Sequence, residues 1–561
     1  LAPGQLGAVA QSALAAVRTA DAIPDGALRA QVIGRLADTA LDAGSQERAA
    51  LTGAIAAMRR AGGEEPGVAA HAAALEARLA LADGDRAGAA ALAQQAVFLE
   101  AQRPMAWRLA DWLLLLADAE PQRRVEHVQA AYQALETVRP FLPAEDALTR
   151  ESSFALRMQK VYEAAVAARF DAASADDPAA ILAAQQVVEA YRQAEIQNLF
   201  GSDCAPAPTP FAPADLRADE VVLYPVVLAD RIELLYASGA EQQDGRRRFH
   251  RLEPQRGAGR AEVQRLVADM ATLSRYDHDA AWRAASRRLY DLVIAPVESR
   301  LGPGTTLIVV PDAGLRTVPF AALLDSGDRF LVERTAVTVA PALAYLQPGA
   351  QALGRRPSVT AASLAQEVTL PAGIFPKLDN TVAEARTVTG AQPNGSGQGR
   401  VIENFRKADL EAALSQDRVD VLHLATHAAF NGRSDRSFIV ASDQLILLSQ
   451  LRDLIAARRT RGSELALLVL SACETAVGDD QAAMGLAGAA VQAGAVSALA
   501  SYWQVDDVGT SRLMKVFYEG LRQGKSKSQA LRAAQAEMIA GGGREADPWI
   551  WAAFSMLGGW R

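Results

Sequence analysis

Cysteine and histidine are scarce in this 561-residue chain, which holds two of the first and six of the second. Cys204 and Cys473 lie in regions of different character, so no disulfide framework is indicated. There is no Cys-x-x-Cys, no His-Glu-x-x-His and no His-rich tract, and neither a metal nor another cofactor is expected. No run of 18 apolar residues occurs, so no membrane span is expected; residues 107–116, Trp-Arg-Leu-Ala-Asp-Trp-Leu-Leu-Leu-Leu, are too few and carry charges. A Gly-x-Ser-x-Gly elbow and a Walker A loop are both missing, which argues against an α/β-hydrolase and a P-loop nucleotidase. Positive charge is not in excess: 57 Lys and Arg stand against 65 Asp and Glu, a net charge of −8. Direct nucleic-acid binding is therefore not expected, because basic patches supply most of that affinity. Arg246–Arg248 and Arg355–Arg356 lack interleaved aromatics and read as solvated loop residues. The chain opens on Leu1 rather than Met, so a targeting segment can have been removed; the cytoplasm is the expected compartment.

What is present is an ordinary globular composition, 50% apolar and 22% charged, in a chain too long for one core. Residues 1–204 are Ala-, Leu-, Gln- and Arg-rich with helical periodicity. Leu75, Leu79 and Ala82 precede a Gly84-Asp85 turn, and Ala89, Leu92, Ala93 and Ala96 mark the next helix, with Pro104 after it. Ala131, Tyr132, Ala134 and Pro140 repeat the pattern more weakly. Small residues on paired helices around a turn resemble helix–turn–helix repeats of the tetratricopeptide kind, which bury their apolar faces only by stacking; the alternative is a non-repetitive helical bundle. Residues 205–215 are Pro-rich and read as a linker. Beyond it, Val221–Leu228 and Arg231–Tyr236 form a hairpin, and 259–301 is helical. Strands are then expected at Thr306–Val310, Ala336–Val339, Ser358–Ala362, Val419–Ala425, Leu465–Leu470, Ala495–Ala500 and Ile550–Leu557. Helices at 380–389, 403–415, 482–493, 507–523 and 526–540 separate most of them. The fold class is α + α/β: a helical-repeat region, then a mainly parallel sheet flanked by helices.

Two of these strands run into reactive side chains. Val-Leu-His-Leu-Ala-Thr-His-Ala (421–428) delivers His427, and Leu-Leu-Val-Leu-Ser-Ala-Cys-Glu-Thr (467–475) delivers Cys473. Reactive groups in an open parallel sheet gather past the carboxyl ends of the strands. An imidazole beside a thiol can take its proton, and the thiolate attacks carbonyl carbon. His423 sits inside its apolar run and reads as a core histidine.

The segments 423–427, 470–475, Gly-Leu-Ala-Gly-Ala-Ala-Val-Gln-Ala-Gly-Ala (485–495), Tyr-Trp-Gln-Val-Asp-Asp (502–507) and Trp-Ile-Trp-Ala-Ala-Phe (549–554) resemble the CHAT family. Residues 194–204, Val-Pro-Asp (310–312) and Leu-Arg-Thr-Val-Pro-Phe-Ala-Ala-Leu (315–323) resemble the region before its catalytic half. CHAT proteins are caspase-like cysteine peptidases related to separase and commonly joined to tetratricopeptide repeats. The resemblance implies that 216–561 is a CHAT region, with an N-terminal half at 216–345 and a caspase-like catalytic half at 346–561. It implies Cys473 as nucleophile and His427 as general base, 46 residues apart (473 − 427), near the separation of about 50 of caspase-like enzymes. It also implies an oxyanion hole from the backbone N–H groups of Cys473 and Ala428, where the family usually has Gly; a positive φ there would strain Ala428. Asp507, aligned on Trp503, is the implied floor of a pocket for a basic P1 side chain; the alternative is a helix N-cap. The expected function is cleavage of protein substrates, with the helical repeats recruiting the substrate or a regulator. The alternative is an inert caspase-like scaffold that binds protein partners.

Overall fold

The computed structural model describes residues 3–103, 105–141, 158–172, 177–200, 211–242, 245–274, 280–346, 353–354, 356–390, 399–416, 418–430, 437–459, 464–471, 474–475, 495–503 and 507–561. The chain forms two compact units, Leu1–Ala173 and Ser174–Arg561.

The first unit is helical: α1 (Pro3–Thr19), α2 (Gly26–Asp42), α3 (Arg48–Gly62), α4 (Pro66–Ala82), α5 (Arg86–Ala101), α6 (Leu109–Ala119), α7 (Arg124–Val138) and α8 (Gln159–Ala172). Successive helices pack on one another through small residues. Ala73 and Ala77 of α4 and Ala93 and Ala96 of α5 are fully buried, and Trp112 and Leu116 of α6 complete these contacts. The expected Gly84-Asp85 turn is there. Gly84 has φ +80°, a conformation that glycine adopts without a Cβ penalty, and Asp85 caps α5 by accepting from Gly88 N at 2.9 Å.

The second unit begins with α9 (Pro178–Phe200), so the division at 173 precedes the Pro-rich segment that the sequence marks as the boundary. The reason is chemical. Glu189 of α9 accepts from Tyr224 Oη and from Ala344 N, both at 2.7 Å, and Arg192 pairs with Asp312 at 2.9 Å and Glu195 at 3.0 Å. Arg316 completes the cluster on Glu195. All are buried, and buried charges persist only when paired. Cys204 and residues 201–210 of the linker lie outside the described residues.

After α9 come β1 (Glu220–Val227), β2 (Arg231–Ser238), β3 (His250–Arg251), β4 (Gln255–Arg256), α10 (Arg260–Met270), α11 (Ala280–Leu289), β5 (Thr306–Val309), α12 (Leu331–Arg334) and β6 (Ala336–Val339). The catalytic half expected from the motifs supplies β7 (Val359–Ser363), β8 (Val368–Leu370), β9 (Gly373–Phe375), α13 (Thr381–Thr389), β10 (Arg400–Glu403), α14 (Lys407–Gln416) and β11 (Val421–Ala425). It continues with β12 (Ala428–Phe430), β13 (Phe438–Val440), β14 (Leu445–Leu447), α15 (Leu448–Arg459), β15 (Leu467–Leu470), β16 (Glu474–Thr475) and β17 (Ser497–Ser501). The last elements are α16 (Asp507–Arg522), α17 (Lys527–Gly541), α18 (Pro548–Trp551) and β18 (Phe554–Gly558). The expected strand at Ile550–Leu557 is thus a helical turn followed by a shorter strand. Asp547 accepts from Trp549 N at 2.9 Å and Pro548 occupies the first helical position, a pair of features that starts a helix. The expected helix at 482–493 lies outside the described residues.

One large sheet runs β10-β7-β11-β15-β17-β18-β6-β5-β1-β2-β3, with β4 also on β2. Neighbours are parallel except at β17–β18, β1–β2, β2–β3 and β2–β4. The sheet is a mixed, mostly parallel one covered by helices. Both faces are buried, which explains why its strands read as continuous apolar runs. Val421, Val469 and Leu499 pack on one face with Phe517 and Tyr518 of α16. Leu422, Leu424, Leu468 and Leu470 pack on the other with Leu410, Leu451 and Ile455. Each fully buried Leu contributes about 1.5–3 kcal/mol. A small second sheet, β14-β13-β12-β16, and the hairpin β8–β9 stand beside the carboxyl end of β11. Among the described residues, no helix is long and apolar enough to cross a membrane.

Candidate active site

β11 and β15 are parallel neighbours, with His423 opposite Val469 and Leu424 opposite Leu470. Past Ala425 the chain leaves the large sheet and enters the small one within two residues, Thr426 and His427. The bend is held at both. Thr426 Oγ1 donates to Val440 O at 2.6 Å, and Val440 N donates to His427 O at 2.9 Å. The imidazole of His427, partly exposed, has Nε2 2.8 Å from Pro376 O. A carbonyl only accepts, so Nε2 carries the proton in that bond, and Nδ1 is left to take up or deliver one. Phe375 lies against the ring at 5.7 Å between centroids and is itself edge-on to Phe438 at 6.4 Å. The hairpin β8–β9 therefore sets both the tautomer and the orientation of His427.

Ala428 opens β12 opposite Ile439 of β13. Its backbone is not strained: the non-glycine residues with positive φ, among those described, are Asp328 and Asn404. The positive φ under which alanine would be strained in place of the family's glycine is not adopted, because the chain is in an ordinary strand here. Backbone groups alternate sides along a strand. Since His427 O faces β13, the Ala428 N–H faces the other edge, along which β16 runs parallel with Ala429 opposite Glu474.

Cys473 and the side chain of Asp507 lie outside the described residues. β15 ends at Leu470 and β16 begins at Glu474, the residue next to Cys473 in sequence. Asp507 is the first residue of α16. Trp503, on which Asp507 is aligned, is buried, and its Nε1 donates to Trp549 O at 2.8 Å, so the Tyr-Trp and Trp-Ile-Trp motifs brace each other. Among the described residues no group of three or more His, Cys, Asp and Glu could hold a metal.

His423 is fully buried, with Nδ1 3.1 Å from Tyr518 Oη. Burial, reinforced by the charge of Glu384, raises the Tyr518 phenol well above its ordinary range, so it stays protonated. On the other side His423 Nε2 is 3.1 Å from Glu384 Oε1, close but without hydrogen-bond alignment. The same oxygen accepts from Ser471 Oγ. Sequence reasoning missed Pro376, Phe375, Glu384 and Ser471. The hairpin had a readable signal, since Val368-Thr-Leu and Ile374-Phe flank Pro371-Ala-Gly373, two short β-prone runs around a turn. Glu384 had none, because a lone carboxylate on a mixed helix reads as solvated.

Compared with known proteins, residues 283–559 match the family model described as CHAT domain. No curated protein matches the sequence. Two crystal structures of the Saccharomyces cerevisiae separase–securin complex resemble the chain, one at 10% identity and TM-score 0.45 and the other at 9% and 0.44. Each alignment covers 98% of this chain and 53% of the other, so the chain spans about half the length of the structures it matches.

Proposed function

Residues 283–559 are a CHAT domain, and from that premise we propose that the chain is a caspase-like cysteine endopeptidase working through Cys473 and His427. One observation carries the reading: the strand registers on both sides of position 473. Leu424 pairs with Leu470, an offset of 46, and Ala429 with Glu474, an offset of 45. The described residues that flank position 473 in the sequence, Leu470 and Glu474, thus pair with residues that flank His427, which supports the reading. His427 meanwhile is held with Nδ1 available.

In this reading the thiolate of Cys473 attacks the scissile carbonyl carbon. The carbonyl π electrons move to oxygen, which the N–H groups of Ala428 and Cys473 stabilise. His427 Nδ1–H gives its proton to the leaving amine as the C–N bond breaks. Water, deprotonated by the same nitrogen, then hydrolyses the thioester and restores the thiol. The bond from Nε2 to Pro376 O stabilises the imidazolium that forms between these steps. Asp507, at the head of α16, is the proposed floor of the P1 pocket and selects Arg or Lys, because a carboxylate withdrawn from water favours a cationic partner. The helical unit is proposed to recruit the protein substrate or a regulator.

The test is labelling with acyloxymethyl ketone peptides that differ only at P1, followed by peptide mass mapping. An adduct on Cys473, lost in His427→Ala and formed fastest with Arg or Lys at P1, is the expected result. Labelling of Cys204 instead, or of neither thiol, would overturn the dyad. Faster labelling by Asp or an apolar P1 residue would remove Asp507 from the pocket.

A further inference from the structure

The proposed chemistry uses His427 and Cys473 but leaves without a role a buried polar cluster that ties β11, the end of β15 and two helices together. Glu384 of α13 is 4% exposed, Ser471 4% and His423 0%. Ser471 is the first residue past β15 and the second before Cys473. Two of its polar groups are tied to two different elements. The backbone N–H donates to Leu424 O of β11 at 2.9 Å, and Oγ donates to Glu384 Oε1. The Glu384 oxygen also faces His423 Nε2 at 3.1 Å, and His423 Nδ1 meets Tyr518 Oη of α16 at 3.1 Å. A buried carboxyl that supports only packing is costly when an apolar residue would fill the same space. Here it is aimed at the one side chain through which the chain enters the Cys473 segment.

We propose that Glu384 is a positioning residue for the nucleophile: through its hydrogen bond from Ser471 it fixes where β15 releases the chain, and so holds Cys473 within reach of His427. His423, itself held by Tyr518, packs against the same carboxyl oxygen. The proposal rests on the Cys473–His427 reading, and its test separates the two by following thiol chemistry apart from turnover.

The measurement is the rate of Cys473 alkylation by iodoacetamide, read on the Cys473 peptide by mass spectrometry so that Cys204 does not contribute. Alkylation follows the thiolate, which His427 promotes. Ser471→Ala and Glu384→Ala, checked for native circular dichroism, should each slow alkylation by about tenfold. Both should lower kcat by about 10–100-fold with little change in KM, the size expected of a small misplacement. Ser471→Thr keeps the hydroxyl and Glu384→Gln keeps the acceptor oxygen, so both should stay within about threefold of the parent. Ser471→Ala added to His427→Ala should slow alkylation no further, because both act through the same pairing. A role in stability alone would lower the melting temperature and leave these rates unchanged in the folded protein. Parent-like alkylation in Ser471→Ala, or equal losses in the conservative and the truncating variants, would overturn the proposal even in an active peptidase. The expected alkylation pattern in a chain that cleaves no peptide would uphold the positioning role and overturn the peptidase.

Discussion

His427 and Lys527 sit at opposite ends of neighbouring strands and show two treatments of a titratable group. His427 stands past the carboxyl end of β11, partly in solvent, with a carbonyl on one nitrogen. Lys527 packs by the amino end of β15, fully buried, and Nζ reaches Ala466 O at 3.3 Å. Burial pushes its ammonium down from 10.5 to about 7. It is also the first residue of α17, where the helix dipole disfavours a cation. The unfolded chain holds this proton up to about pH 10 and the folded one releases it near pH 7. Between those values the unfolded state binds more protons, so stability rises with pH across the window; below it the full penalty applies. Lys527→Met should therefore stabilise the protein by about 2–4 kcal/mol at pH 6–7, a gain that mostly disappears by about pH 10. The Ala466 carbonyl keeps a partner in the variant, since Ser497 Oγ donates to it at 2.7 Å. Urea midpoints at the two pH values measure this, and a gain of the same size at both would contradict the assignment.

The hairpin β8–β9 is the element on which His427 depends, although no residue of it would touch a substrate carbonyl in the proposed chemistry. Phe375 fills the space between the imidazole and Phe438, and Pro376 follows it into the carbonyl contact. Phe375→Ala removes the ring that limits the tilt of His427 and leaves the backbone acceptor in place. Turnover should fall by about tenfold or more, as expected for loss of orientation at a reacting group, while the fold persists because β8–β9 is not part of the large sheet. Phe375→Leu should recover part of the rate. An unchanged kcat/KM in Phe375→Ala would show that the carbonyl alone orients the ring. Sequence legibility also divides by element. Val421–Ala425 and Leu467–Leu470 were readable because strands buried on both faces have no polar alternation to hide them. His427 and Cys473 stood out as polar ends of those runs. β12, β13 and β14 were not readable, since three-residue strands carry too little pattern. Glu384 was not readable either, because its partners Ser471 and His423 are distant in sequence and its burial follows from packing of α13 on the sheet.

At the scale of the whole molecule, composition and contact disagree about where the sheet unit starts. The Pro-rich segment marks a natural cut in sequence, but α9 on its N-terminal side is built into the sheet unit by charge. Without α9, Asp312 and Arg316 lose Arg192 and Glu195, and the Ala344 N–H and Tyr224 hydroxyl lose Glu189. Leaving one partner of a buried pair uncompensated costs about 3–5 kcal/mol, and an unsatisfied buried amide about 1–3 kcal/mol more. Together these approach the whole stability of a typical domain. A fragment of residues 174–561 should therefore fold and melt cooperatively near the temperature of the second transition of the full chain. A fragment of residues 216–561, cut at the compositional boundary, should be insoluble or molten, with near-ultraviolet circular dichroism lost and much of the far-ultraviolet signal kept. Adding a peptide of residues 177–200 should restore part of the tertiary signal, and its Glu189→Ala, Arg192→Ala variant should not. If the shorter fragment instead melts cooperatively within a few degrees of the longer one, α9 is only an ornament on the sheet, and the compositional boundary is also the physical one.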